Sequence, residues 1–140
     1  MPDEELENIK KKMLKGLMEE FSRPKGASLP NQVLDLNTMD EFRNLLQNYP
    51  QKVIIIDFWA TWCAPCRMFA PIFQKLQQEY REDFIFARVD VDQNNLLANQ
   101  YNITAIPTTL FLKGGSVIYK LVGASNYNKM KQILEKFNSN

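Results

Sequence analysis

The chain of 140 residues contains no histidine and only two cysteines. Without histidine, the usual imidazole base and the commonest metal ligand are both missing. Two cysteines are too few for a secreted disulfide scaffold, and too few for a four-ligand zinc site unless two chains share it. Charge excess is also missing. Seventeen basic residues against sixteen acidic ones leave a formal net charge of +1, which gives no bias toward nucleic acid or anionic membrane. No apolar run approaches the roughly 18 residues that a membrane-spanning helix needs. The first 21 residues mix acids with lysines, so a signal peptide is not expected and a cytoplasmic location is. Internal repeats and low-complexity segments are absent as well. What remains is the composition of a soluble globular protein, 45% apolar and 24% charged, long enough for one domain with a real core.

Two unequal parts are expected. In residues 3–21, Leu6, Ile9, Met13, Leu17 and Phe21 recur at helical spacing, with Leu14 and Met18 widening the stripe and Asp3 as N-cap. SRPKGASLPN, residues 22–31, reads as a linker. From residue 32 strand and helix patterns alternate. VLDL (33–36) is a short strand, and Thr38-x-x-Glu41 is a capping box opening a helix to Asn48. KVIIIDFWA (52–60) has the β-branched run of a strand buried on both faces. Residues 63–81 are predicted helical, with Pro71 kinking that helix or removing one backbone bond. FIFARVDV (84–91) is a strand and 94–101 a short helix. TTLFLK and SVIYKLV flank Gly114-Gly115 as a hairpin, and 126–137 closes the chain with a helix. That order implies an α/β fold with a central mixed sheet and helices on both faces.

Both cysteines lie in WATWCAPCRM, residues 59–68. Cys63 follows a buried strand and stands at the first turn of a helix, where open N–H groups and the positive dipole end favour a thiolate. Pro65 suits that turn because the N–H it lacks would have no partner inside the helix. Arg67 adds a fixed positive charge nearby. At this spacing the second sulfur can displace whatever the first has bonded to, which is the logic of a redox dithiol. Three other readings of the pair stand beside it: a metal site shared by two chains, a small structural staple, and two inert buried thiols. The staple would remove little loop entropy.

Residues 32–140 resemble the thioredoxin family along essentially their whole length. The family pattern VDFWA-x-WCGPCK stands here as IDFWATWCAPCR, followed by M-x-A-P; VDVDQN (89–94), AIPTTLFLKGG (105–115) and LVGAS (121–125) follow in the family's order. The resemblance implies the thioredoxin fold and a protein-disulfide reductase that uses no metal or organic cofactor. It implies Cys63 as the attacking thiol and Cys66 as the more buried resolving one. Asp57, in the apolar strand IIIDFW, matches the family acid that passes protons to and from the resolving sulfur. Burial there favours its protonated form. Arg88 stands where the family has a lysine that interacts with this acid. Pro107 matches the family's cis-proline, and Ile106 before it offers backbone groups to an extended substrate. Trp62, Ala64, Pro65, Ile106, Pro107 and Gly123 are then the substrate-binding surface, with Trp59 as supporting core. The implied partners are disulfide-containing target proteins and thioredoxin reductase or an equivalent electron donor, with neither nucleic acid nor membrane.

Three departures stand out: Ala64 for the family's usual glycine, Arg67 for its lysine, and the extension at 1–31. A disulfide oxidase or isomerase on the same fold is the alternative chemistry, and a thioredoxin-like binding platform the alternative class. The lack of an export signal and of a histidine between the cysteines favours reduction, and a pure platform needs neither dithiol nor buried acid.

Overall fold

The structure, a computed structural model, describes residues 7–12 and 29–138. Residues 7–12 are helical, with Ile9 about half exposed; the rest of the helix expected over 3–21, and most of the expected linker, lie outside the described residues. Five strands and four further helices follow: β1 (Leu34–Asp35), α1 (Met39–Asn48), β2 (Val53–Trp59), α2 (Ala64–Tyr80), β3 (Phe84–Asp90), α3 (Asn95–Gln100), β4 (Thr108–Lys113), β5 (Ser116–Val122) and α4 (Tyr127–Asn138).

The strands form one sheet in the order β1-β3-β2-β4-β5. β1, β3 and β2 run parallel, while β4 pairs antiparallel with both β2 and β5. The sheet is therefore mixed, as the alternating pattern predicts. β2 is central, and Ile54, Ile55, Ile56 and Phe58 have no exposed surface, which is why its sequence shows no polar alternation. On one face Ile54, Ile56 and Phe58 pack with Phe42 and Leu45 of α1 and Leu97 of α3. On the other, Ile55, Phe86 and Phe111 pack with Phe69, Phe73 and Leu76 of α2 and Met130 and Leu134 of α4.

Local chemistry accounts for the boundaries. The capping box at α1 is formed: Glu41 N–H donates to Thr38 Oγ1, and the Glu41 carboxylate accepts from Thr38 N–H. Gly114 and Gly115 both take positive φ, +60° and +84°, which a two-residue hairpin turn with the twist of its strands requires. α2 runs through Pro71 without ending, so the proline removes a backbone bond and does not break the helix. β1 is only two residues long, shorter than VLDL, and pairs with β3 alone at the edge of the sheet.

Candidate active site

Chain direction places the dithiol. β2 ends at Trp59, and after four residues the chain enters α2 at Ala64. Cys63 is the N-cap of that helix in extended geometry (φ −95°, ψ 107°), and its sulfur accepts the N–H of Cys66 at 3.2 Å. A sulfur thus fills the place an aspartate or serine oxygen usually takes, facing the open amides of a helix start. A helix start of this kind favours negative charge on a cysteine sulfur once it is freed from the disulfide. Cys63 and Cys66 are joined as a disulfide with Cα atoms 5.3 Å apart, so the structure is the oxidised state. Cys66 is fully enclosed, whereas Cys63 keeps a little exposed surface between the exposed Trp62, Ala64 and Pro65.

Arg67 is tied to the loop before the helix. Its guanidinium donates to the carbonyl of Thr61 at 2.8 Å, bracing the loop before the helix. The indole N–H of Trp62 donates to the Asp92 carboxylate at 2.9 Å, and the ring is 67% exposed, so it is held in place yet open to a partner. Trp62 borders a groove of about 460 Å³ with Val91, Ile103, Thr104, Ala105 and Ile106.

Opposite the cysteines the Ile106–Pro107 peptide bond is cis. The Ile106 carbonyl lies 3.9 Å from Cys63 Sγ, and Pro107 itself is buried behind it. Ile106 and Gly123 are both partly exposed here, whereas Pro107 presents only its backbone turn. Gly123 has φ +93°, a conformation side chains disfavour, and its N–H donates to the Pro107 carbonyl at 2.7 Å. The Thr108 hydroxyl donates to the Ala105 carbonyl at 2.6 Å, closing the loop from the other end.

Asp57 lies on β2, in register with Arg88 of β3. It has no exposed surface, and only one of its oxygens is partnered: Arg88 Nε donates to Oδ2 across a long 3.5 Å. Burial pushes its pKa up from 3.8 to about 6, and the Arg88 charge and hydrogen bond oppose that rise. Arg88 also lies over the Trp59 ring, 4.1 Å from its centroid, and Trp59 in turn packs against the dithiol with Ala60, Val91 and Ile106. Trp59 is half-buried support and Trp62 the open ring, as the sequence leads one to expect.

Of the predicted residues, Trp59 and Ile106 pack directly with the dithiol, and Arg88 joins Asp57 to Trp59. Sequence reasoning missed Asp92 and Thr108. Asp92 sits thirty residues from the tryptophan it holds, and only the VDVDQN motif hinted at it. Thr108 adjoins Pro107, where a hydroxyl able to lock a turn is a readable signal.

The thioredoxin family profile matches residues 33–136. Thioredoxin H4 of Arabidopsis thaliana is 39% identical over 111 residues, 78% of this chain and 93% of that protein. A thioredoxin of Coprinus comatus is 41% identical over 102 residues, covering 72% and 93%. Among solved structures, reduced Schistosoma mansoni thioredoxin pre-protein superposes with a TM-score of 0.69 at 38% identity, over 76% of this chain and 98% of that one. Because these relatives match over nearly their full length and share the sheet that carries the dithiol, this chain belongs to the thioredoxin family of thiol–disulfide oxidoreductases.

Proposed function

We propose that the chain works in the reducing direction, on protein disulfides, with the following division of labour. Cys63 thiolate attacks one sulfur of a target disulfide, forming a mixed disulfide and expelling the other target sulfur as a thiolate. Cys66 gives its proton to the Asp57 carboxylate and attacks Cys63 Sγ. The second target thiolate leaves, and Cys63 and Cys66 are joined. Two electrons have passed to the target, and an electron donor of the thioredoxin-reductase class returns two to the protein. Arg88 holds Asp57 between its charged and neutral forms. Trp62, Ala64, Pro65 and Ile106 receive the target chain, with Pro107 and Gly123 shaping the loop.

The observation that carries this reading is the N-cap position of Cys63. Its sulfur is the one that borders the surface and the one that receives a helix amide, while Cys66 lies behind it. Among the described residues no helix is long and apolar enough to cross a membrane. A reducing compartment such as the cytoplasm, where thiols are kept reduced, is the proposed site of action. Residues 32–140 are proposed as the catalytic unit and 1–31 as an appended segment.

Insulin-disulfide reduction by the two single mutants tests the roles. Cys63→Ser is expected to be inactive. Cys66→Ser is expected to trap long-lived mixed disulfides through Cys63. Equal trapping by both variants would overturn the assignment. Equilibration with glutathione buffers tests direction, a strongly oxidising potential being the result that favours an oxidase instead.

A further inference from the structure

Asp57 has a second neighbour that the reaction so far leaves idle. Across the antiparallel β2–β4 pairing, Asp57 stands directly opposite Thr109. Residues so paired share a face, with Cβ atoms about 4.5–5.5 Å apart. Two positions along, Ile55 faces Phe111 in the core under α2 and α4, so the Asp57 and Thr109 side chains point to that same side.

Both side chains are fully enclosed, and each has an orphan: Asp57 Oδ1 and Thr109 Oγ1 have no hydrogen-bond partner. An unpaired buried hydroxyl is unfavourable, and valine would fill the same space on a strand without it. Two orphans on facing residues satisfy one another if they are linked. A hydroxyl suits a group that changes charge, because its rotating O–H can donate to a carboxylate and its lone pairs can accept from a carboxylic acid.

We propose that Thr109 is a positioning residue for Asp57, its hydroxyl donating to Oδ1 of the ionised carboxylate and accepting from the protonated one, by a small side-chain rotation or through one water. The contact would hold the free oxygen in one orientation while Arg88 holds the other, so that Asp57 gains and loses its proton without the carboxyl turning.

Few other charges complicate the site. β3 brings Arg88, which lines a small cavity together with Asp35 of β1 and Phe73 and Gln74 of α2. α2 brings Cys66 with the apolar Phe69 and Phe73, β5 places Leu121 beside Thr109, and α4 brings Met130, Ile133 and Leu134. A hydrogen bond made best to the charged form lowers the pKa of its acceptor. Removing the Thr109 hydroxyl is therefore expected to raise the Asp57 midpoint.

The inference rests on the proposed proton-accepting role of Asp57 only for its functional meaning, and a direct titration separates the two. The Asp57 carboxyl carbon is followed by NMR against pH in the oxidised full chain, for the native protein, Thr109→Val and Thr109→Ser. Thr109→Val, which keeps the shape, should raise the midpoint by about one pH unit. Thr109→Ser, which keeps the hydroxyl, should stay within a few tenths of the native value. No movement in the valine variant, or equal movement in both, overturns the proposal. Should the valine variant not fold, the native protein still decides. Its Thr109 resonances should titrate with the Asp57 midpoint, and a flat response sinks the idea. If the midpoint moves but the pH profile of insulin reduction does not, the Thr109 contact stands and the relay role of Asp57 falls.

Discussion

Replacing Asp57 with asparagine removes a carboxylate that has no exposed surface, and the consequence for stability has a calculable pH dependence. Between the ordinary carboxyl pKa of 3.8 and the folded value of about 6, the native state holds a proton that the unfolded state releases. Stability therefore falls as pH rises through this window, and above it the full penalty of burying the charge is present. The displacement of about 2.2 pH units corresponds to about 3 kcal/mol. Asparagine is neutral throughout, so the variant gains on the native protein as pH rises. The advantage from this source is about 0.5 kcal/mol at pH 4 and about 3 kcal/mol at pH 7.5. The difference between the two pH values matters most, because fixed differences between asparagine and a protonated aspartic acid cancel in it. Urea denaturation of the oxidised forms measures it, and the disulfide keeps both thiols from titrating. Insulin reduction by the same variant should fall about tenfold near pH 7, since a proton acceptor has been lost. A stability difference that is flat with pH, or that grows as pH falls, would refute the desolvation argument. An unchanged turnover with the expected stability change would leave Asp57 buried for a reason other than proton transfer.

Three further perturbations separate the parts of the site. Arg88→Met removes both influences that lower the Asp57 pKa, so the break in the pH–rate profile should move upward, and Arg88→Lys should restore most of it; a stationary break would show that the 3.5 Å contact does not tune the acid. Trp62→Ala should barely affect the urea midpoint, because the ring is mostly exposed, yet lower kcat/KM for protein disulfides by about tenfold with small disulfides spared. Equal losses on both substrates would make Trp62 structural. Deleting residues 1–31 should leave insulin reduction intact, because every site residue lies beyond them, and a large loss in a truncated protein that still folds would make the extension part of the active surface.

Much of the fold was legible because local and global signals agree. The Thr38–Glu41 box, the paired glycines at 114–115 and the uninterrupted β2 run each specify a structure over a few residues, and each is present. Cys63 could be placed at a helix start from the strand before it and Pro65 after it. What the sequence hid depends on contacts between distant residues. That Thr109 faces Asp57 follows from strand register, which is set by the packing of whole strands, whereas Arg88 beside the acid came from the family resemblance. The cis state of Pro107 is a minority state that local sequence does not specify; the family resemblance supplied it. The hold of Asp92 on Trp62 joins two loops that meet only after the sheet has formed.

Two opposed influences meet at Asp57, its burial and the Arg88 cation. Desolvation alone would push the acid further toward its protonated form, and a neutral carboxylic acid has no charge with which to take up a thiol proton. A close, bidentate arginine would do the opposite, holding the group as an ordinary carboxylate with little affinity for that proton. The observed contact is neither: a single Nε at 3.5 Å, with the guanidinium drawn over the Trp59 ring instead of squared against the carboxylate. Burial and this partial hold of the cation oppose one another, and the pKa is pushed up to about 6. Trp59 thus packs against the dithiol on one side and holds the Arg88 cation over its ring on the other.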